Sequence, residues 1–123
     1  MKTLSLSRKL RYAVGCLALL ILATSAWRSS AHTSTSVNIV NNSSREIRHV
    51  YLSHVGVDDW TGDQLINSTI TSGQSLNLSV ACDQQQVRVI GEDQDGCFLT
   101  TIVNCGDSAT WTVTDSTTRD CDG

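Results

Sequence analysis

The amino-acid sequence predicts an all-β protein: a small antiparallel β-sandwich of six to seven short strands, Ig-like or closed into a partial barrel, after an N-terminal signal helix. After residue 26 no stretch sustains the helical period of apolar residues. Short β-rich runs alternate instead with turns of Gly, Asp, Asn and Ser, about every ten residues. Four cysteines are spread through this part of the chain, as in small exported domains.

The first 31 residues have the composition of an export signal. Residues 1–11 carry four basic side chains and no acid, and an apolar run of about twelve residues follows at 12–23. This order is typical of a secretory signal peptide, and small residues favour cleavage after Ala26 or Ala31. The competing interpretation is a retained membrane anchor, but the apolar run is shorter than the roughly 20 residues that cross a bilayer.

The charge of the chain changes when residues 1–31 are removed. The whole sequence has 9 Lys and Arg against 12 Asp and Glu, and five of the basic residues lie in the removed segment. Residues 32–123 keep four arginines and all twelve acids, so 4 − 12 gives a net charge of −8. Such a domain is repelled by nucleic acid and anionic membranes, and it attracts basic proteins and cations. The same charge keeps an exported domain soluble, and we expect a monomer.

The disulfide-linked β domain is predicted to occupy residues 37–123, after a flexible polar lead-in at 32–36. Residues 37–40 and 45–53 are predicted as the two strands of a hairpin, joined by a turn rich in Asn and Ser. The second strand has one isoleucine out of phase with the apolar residues that follow it. This irregularity predicts a β-bulge at residues 48–49.

The stretch at residues 54–66 is the least regular part of the domain. Asp58 and Asp59 disfavour a strand there, and the sequence allows a single helical turn over 59–65. Trp60 is then either a plug at one end of the core or an exposed anchor for a partner.

Alternating apolar residues predict the remaining strands at residues 69–70, 76–80, 87–91, 97–105 and 109–114. The last three form a β-meander over 87–113, because turns of Gly, Asp and Asn separate them. In the middle strand of the meander, Phe98 and Ile102 compete with Leu99 and Val103 for the core. We therefore expect this strand at the centre of its sheet, apolar on both faces.

The cysteines of the domain are Cys82, Cys97, Cys105 and Cys121, an even number that suits an oxidising compartment. They include no Cys-x-x-Cys pair and have no nearby histidine, which disfavours zinc. Successive strands alternate in direction, so Cys82 and Cys105 fall at one end of the domain and the other two at the opposite end. We predict the disulfides Cys82–Cys105 and Cys97–Cys121.

The acidic turn at Glu92, Asp93 and Asp95 is a candidate calcium site. It places carboxylates on one side of a tight loop, and Ca²⁺ binds about six to eight oxygen ligands of this kind. If the loop with Asp58 and Asp59 folds beside this turn, the two clusters together form the site. The alternative is a solvated hairpin turn that uses Asp and Gly for their backbone preferences, with no cofactor.

Patterns of catalytic residues are missing from the sequence. No serine lies in a Gly-x-Ser-x-Gly elbow, and no cysteine is left as a free nucleophile. His49 and His54, five residues apart, fall on opposite faces of a regular strand and cannot share a metal ion without a bulge between them. Paired acids such as Asp58 and Asp59 act in acid–base catalysis only inside a cleft, so we expect no enzyme.

Residues 41–53, 58–60 and 87–97 contain Asn-Ser-Ser, Val-Tyr-x-Ser, Asp-Asp-Trp and an acidic loop ending in Gly-Cys. In these motifs the chain resembles a group of small exported bacterial proteins, over nearly all of its length after the signal. Thr61 stands where that group has Gly, and Gln94 makes the loop less acidic. The resemblance implies a fold and a bacterial source, and it implies no chemistry.

These patterns predict an exported, non-catalytic binding or structural domain in the periplasm or outside the cell. The alternatives are a calcium-stabilised β module, and an acidic inhibitor or accessory subunit of a basic protein or of a membrane complex. No nucleic-acid partner is expected, and no membrane insertion once the signal is cleaved.

Overall fold

The computed structural model describes residues 33–122, which lie in the compact unit His32–Gly123. Its six strands are β1 (Thr33–Asn42), β2 (Ile47–His54), β3 (Ser75–Cys82), β4 (Gln86–Asp93), β5 (Phe98–Asn104) and β6 (Ala109–Thr114). They form two three-stranded sheets: sheet A in the order β3-β1-β6 and sheet B in the order β2-β4-β5. The all-β prediction is confirmed. The predicted signal peptide lies outside the described residues.

The core of the domain lies between the two sheets and takes apolar side chains from all six strands. In β1, for example, alternate positions are buried, including Val37 and Ile39 at 0% exposure. Full burial of one such side chain stabilises the fold by about 1.5–3 kcal/mol. Leu65 and Ile70, from the loop at residues 55–74, complete the cluster.

Strands β1 and β2 do not form the predicted hairpin. Val37 of β1 lies opposite Leu78 in an antiparallel pair with β3 and opposite Ala109 in a parallel pair with β6. β2 pairs with β4 in the other sheet, and the predicted bulge is confirmed by the register shift between Ile47 and His49.

The turn between β1 and β2 crosses from one sheet to the other because Asn41 holds it there. Asn41 is completely buried, and its Nδ2 donates hydrogen bonds to the carbonyls of Arg45 at 2.7 Å and Ile70 at 2.8 Å. Its Oδ1 accepts from the backbone N–H and the hydroxyl of Ser43. Every hydrogen-bonding group of this buried amide therefore has a partner, as burial requires.

The predicted meander is correct for β4 and β5 and wrong for β6, which leaves sheet B and pairs with β1. β5 is consequently an edge strand, not the centre of its sheet. Leu99 and Val103 point into the core, whereas Ile102 is 52% exposed on the opposite face. The central strand is β4, where Val89 and Ile90 are both fully buried, one on each face.

Both predicted disulfides, Cys82–Cys105 and Cys97–Cys121, are confirmed. The pairing depends on which end of a strand each cysteine occupies, and not on the sheet to which the strand belongs. One bridge therefore joins sheet A to sheet B, and the other ties the segment after β6 to the start of β5.

The loop at residues 55–74 contains no helical turn, contrary to the prediction for 59–65. It follows the edge of β2 instead, where the N–H of Thr61 donates to the carbonyl of Leu52 and that of Gln64 to the carbonyl of Val50. Between residues 33 and 122 there is no helix long and apolar enough to cross a membrane.

Candidate functional site

The outer face of sheet B, turned away from the core, carries the alternate side chains of its three strands. The strand registers align them in three rows, His49–Glu92–Phe98, Tyr51–Ile90–Thr100 and Ser53–Arg88–Ile102. Directly opposed residues of neighbouring strands lie about 4.5–5.5 Å apart on the same face. The face is thus aromatic and acidic at one end.

Trp60 packs on this outer face, and the prediction that it plugs the core is wrong. Its ring centroid lies 5.5 Å from that of Tyr51 and 5.1 Å from that of Phe98, with the Phe98 ring nearly perpendicular at 84°. The side chain remains 42% exposed. Ile90, in the same row as Tyr51, is completely buried although it does not belong to the main core cluster.

A groove of about 510 Å³ opens beside Trp60, and we call it the sheet B groove. Residues of β4 and β5 form its floor, and the loop after β2 and the segment after β6 form its sides. Its lining consists of Asp58, Trp60, Arg88, Ile90, Phe98, Thr100, Thr117, Thr118 and Asp120.

Both sides of the sheet B groove are fastened to its floor. On one side, Nη2 of Arg88 donates to the carbonyl of Val57 at 2.8 Å, and to Ser53 Oγ and Asp58 Oδ1 at 3.1 Å. On the other, the backbones of Phe98 and Asp120 exchange two hydrogen bonds of 2.7 and 2.8 Å. The disulfide at Cys97 lies next to this bridge. The groove is therefore formed before any ligand arrives.

Two carboxylates flank Phe98 on the outer face. Glu92 lies opposite Phe98 in β4, and Asp120 lies opposite it in the isolated bridge. Glu92 accepts a hydrogen bond from the Tyr51 hydroxyl at 3.2 Å. Burial and the negative charge of Glu92 both raise the pKa of Tyr51. Across residues 33–122, neither Glu92 nor Asp120 takes part in an ion pair.

Asp93 and Asp95 of the acidic turn bind an arginine. Asp93 is 2% exposed; its carboxylate accepts from the backbone N–H groups of Asp95 and Cys97, and from Arg119 Nε at 2.7 Å. Arg119 also pairs with Asp95 at 2.7 Å. Burial tends to raise the pKa of Asp93, but the hydrogen bonds from Cys97 and Arg119 outweigh it and lower that pKa.

The two acidic clusters of the calcium hypothesis do not come together. Asp58 pairs with Arg88 at 3.1 Å, and Asp59 with His54. Arg88 is five residues before Asp93 in β4, a separation of roughly 16 Å along a strand. Within the described part of the chain, no three His, Cys, Asp or Glu side chains are grouped so as to hold a metal ion.

A smaller cavity of about 300 Å³ lies next to His54, between the end of β2 and the turn after β3. Nε2 of His54 lies 2.9 Å from Asp83 Oδ1, and its Nδ1 contacts the carboxylate of Asp59. The hydrogen bonds to Asp59 and Asp83 raise the pKa of His54, and the bond from His54 lowers the pKa of Asp59 to about 2. This cluster was not predicted, since Asp83 is 29 residues from His54.

His49 has a separate carboxylate partner, with its Nδ1 2.8 Å from Asp63 Oδ2. The other oxygen of Asp63 accepts from the backbone N–H groups of Val50 and Leu65, both at 3.0 Å. The two histidines therefore share no partner and instead fasten the loop at residues 55–74 to β2.

No family model and no curated protein matches the chain. Among solved structures, the chain is similar to the NMR structure of a protein from Eubacterium rectale, with 14% identity and a TM-score of 0.45. The match covers 75% of this chain and 89% of that one. A likeness at this level indicates no function.

Proposed function

We propose that the chain is an exported, non-catalytic binding domain that recognises a protein partner with the outer face of sheet B. The observation that carries this proposal is the packed group of Tyr51, Trp60 and Phe98 beside the sheet B groove. Trp and Tyr are enriched among the residues that contribute most to binding energy in protein interfaces.

The composition of the sheet B groove favours binding over catalysis. Its lining includes no Cys, His or Ser, and its one arginine is hydrogen-bonded to the loop that forms one side. A catalytic cleft usually combines a nucleophile with a base in hydrogen-bond contact.

Export is supported by the chemistry of the cysteines. The two disulfides, Cys82–Cys105 and Cys97–Cys121, suit an oxidising environment such as the periplasm or the extracellular space. In that compartment a domain with a net charge of −8 over residues 32–123 attracts basic partners over a long range. An acidic accessory subunit or inhibitor of a basic protein fits the same features.

Site-directed photo-crosslinking in the cells that produce the full chain tests the proposal. Benzoylphenylalanine replaces Thr100, which lines the sheet B groove, or Thr112, an exposed control position on β6 in sheet A. We expect a discrete adduct with one protein from position 100, lost in Trp60→Ala, and no such adduct from position 112. Adducts that are equal at both positions, or that persist in Trp60→Ala, contradict the proposed binding face.

A further inference from the structure

We infer that the sheet B groove receives a cationic side chain, arginine or lysine, from a basic polypeptide partner. This inference rests on the proposed function and specifies the chemistry that the groove recognises.

The aromatic side of the groove has the geometry that attracts a cation. The rings of Trp60 and Phe98 meet at 84° with their centroids 5.1 Å apart, so their planes form an open corner. An aromatic ring attracts an ammonium or guanidinium group within about 6 Å of its centroid. A cation in this corner is within reach of both rings, and Tyr51 adds a third ring next to Trp60.

The carboxylates beside the corner supply the complementary charge. Phe98 stands between Glu92 and Asp120, its direct neighbours on the two sides. Because opposed residues lie about 5 Å apart, each carboxylate reaches a group placed over Phe98. Neither has an ion-pair partner within residues 33–122. A bound cation would therefore contact two negative charges that the described domain itself leaves uncompensated.

The arginine that lines the groove does not fill this role. Nη2 of Arg88 is hydrogen-bonded to Val57, Ser53 and Asp58, all on the side formed by the loop. Its charge thus balances Asp58, whereas Glu92 and Asp120 lie at the Phe98 end. The groove therefore has one neutralised end, whereas at the Phe98 end Asp120 lines the groove and Glu92, which is not a lining residue, lies on the other side of Phe98.

Hydroxyl groups in the groove suit a guanidinium in particular. Thr100, Thr117 and Thr118 line it; the hydroxyls of Thr100 and Thr118 can accept a hydrogen bond, and that of Thr117 already accepts one from the Thr114 N–H. A guanidinium presents five N–H donors in a plane and stacks on aromatic faces. An arginine can therefore stack on the rings and donate hydrogen bonds to the carboxylates and hydroxyls at the same time.

Calorimetric titration of the purified, disulfide-bonded protein with two matched probes tests the inference. The probes are a deca-arginine peptide and a deca-citrulline peptide, which have nearly the same shape and differ in charge. We expect deca-arginine to bind and deca-citrulline to bind at least about tenfold more weakly. Equal affinity for the two peptides overturns the inference, because it indicates a site for neutral polar ligands.

Single substitutions separate the groove from the general charge of the domain. Glu92→Gln and Asp120→Asn each remove one carboxylate beside Phe98, and we expect each to weaken deca-arginine binding by about 3-fold or more. Asp107→Asn removes the same charge from an exposed position in the turn after β5, and we expect a change below about 2-fold. If Asp107→Asn weakens binding as much as the groove variants, the attraction is diffuse and the inference is wrong.

Two aromatic variants test the rings while keeping the apolar packing. Trp60→Leu removes the π system, and we expect about 3- to 10-fold weaker binding of deca-arginine. Tyr51→Phe keeps the ring but removes the hydroxyl that donates to Glu92, so binding should be unchanged or tighter. Weaker binding in Tyr51→Phe, or no change in Trp60→Leu at an unaltered melting temperature, contradicts the inferred site.

The two proposals can fail separately. If deca-arginine does not bind while the adduct from position 100 persists, the cation inference is wrong and the proposed function stands. If both the adduct and the peptide binding are absent, both proposals are wrong.

Discussion

Arg119 donates a hydrogen bond from Nε to the buried carboxylate of Asp93, 2.7 Å away. The bond joins the segment after β6 to the turn between β4 and β5. Arg45 Nε lies 3.5 Å from the same carboxylate. Asp93 and Asp95 of the acidic turn, which resembles part of a calcium loop, are thus neutralised by arginines from two other parts of the chain, whereas Glu92 has no ion pair among residues 33–122.

Asp93→Ala should lower the free energy of unfolding by about 3 kcal/mol, because it leaves two partly buried arginines without their shared carboxylate. Urea denaturation at pH 7 measures the difference. Asp107→Ala, at an exposed position, is the control and should change stability by less than about 0.5 kcal/mol.

The same contact predicts a pH dependence at low pH. The pKa of Asp93 is lower in the folded protein than in the unfolded chain, where a value near 3.9 is expected. The contribution of Asp93 to the free energy of unfolding is therefore complete above about pH 4 and is lost as the pH falls through its folded-state pKa. Stability that falls equally steeply below pH 4 in wild type and in Asp93→Ala would contradict this role.

His54 should titrate above the ordinary histidine value of about 6.5. Both of its nitrogens face carboxylates, and both can donate only when the ring is protonated. Because the folded-state pKa is raised, the stabilisation is complete below about pH 6.5 and is lost as the pH rises through the folded-state pKa. An NMR titration of the His54 ring measures this value.

Variants of Asp59 and Asp83 test whether these two carboxylates raise the pKa of His54. Asp59→Asn and Asp83→Asn should each move the His54 midpoint downward, with the larger effect from Asp59, whose hydrogen bond contributes most. A midpoint at or below about 6.5 in the wild type would show that the carboxylates do not hold the charged ring.

The two disulfides should contribute equally to stability and unequally to binding. The sequence separations are 23 and 24 residues, so the chain-entropy model gives each bridge about 3 kcal/mol. Replacing Cys97 and Cys121 by alanine also removes the covalent link next to Asp120, which its two backbone hydrogen bonds with Phe98 then hold less firmly, so deca-arginine binding should weaken. Replacing Cys82 and Cys105 should leave that binding unchanged at a temperature where both variants are folded. Equal loss of binding in both variants contradicts the role of Asp120.

The candidate site was predicted only in part. Trp60 was identified as a possible anchor, and the structure places it on the outer face of sheet B. The position of Asp120 was missed because it lies 22 residues beyond Phe98, in a segment with no strand pattern. The predicted Cys97–Cys121 disulfide indicates the position of Asp120. Phe98 and Asp120 are the chain neighbours of the two cysteines, so the bridge brings them together.

The sheet to which each strand belongs could not be predicted from local patterns. The turns at residues 41–44 and 104–108 resemble hairpin turns, yet both connect strands in different sheets. Asn41 decides the first crossing through bonds to the distant carbonyl of Ile70. In β4, Gly91 packs against the Trp111 ring of the opposite sheet, which lies 3.4 Å from where a Cβ would stand. Neither contact is visible in the spacing of apolar residues.

The sequence by itself determined the approximate positions of the six strands, the bulge in β2 and the two disulfides, because these depend on the period of apolar residues and on the direction in which each strand runs. Two predictions at strand level were wrong: residues 33–36 are not a flexible lead-in but pair with β3, and residues 69–70 form no strand beyond the isolated bridge of Ile70 with Ile47. The tertiary structure alone decided that β6 joins β1, that β5 lies at an edge, and that Trp60 covers the outer face of sheet B. Those outcomes depend on the long-range packing that buries the most apolar surface and gives hydrogen-bond partners to polar groups such as Asn41 and Asp93. Local sequence patterns do not determine which of the alternative packings this is.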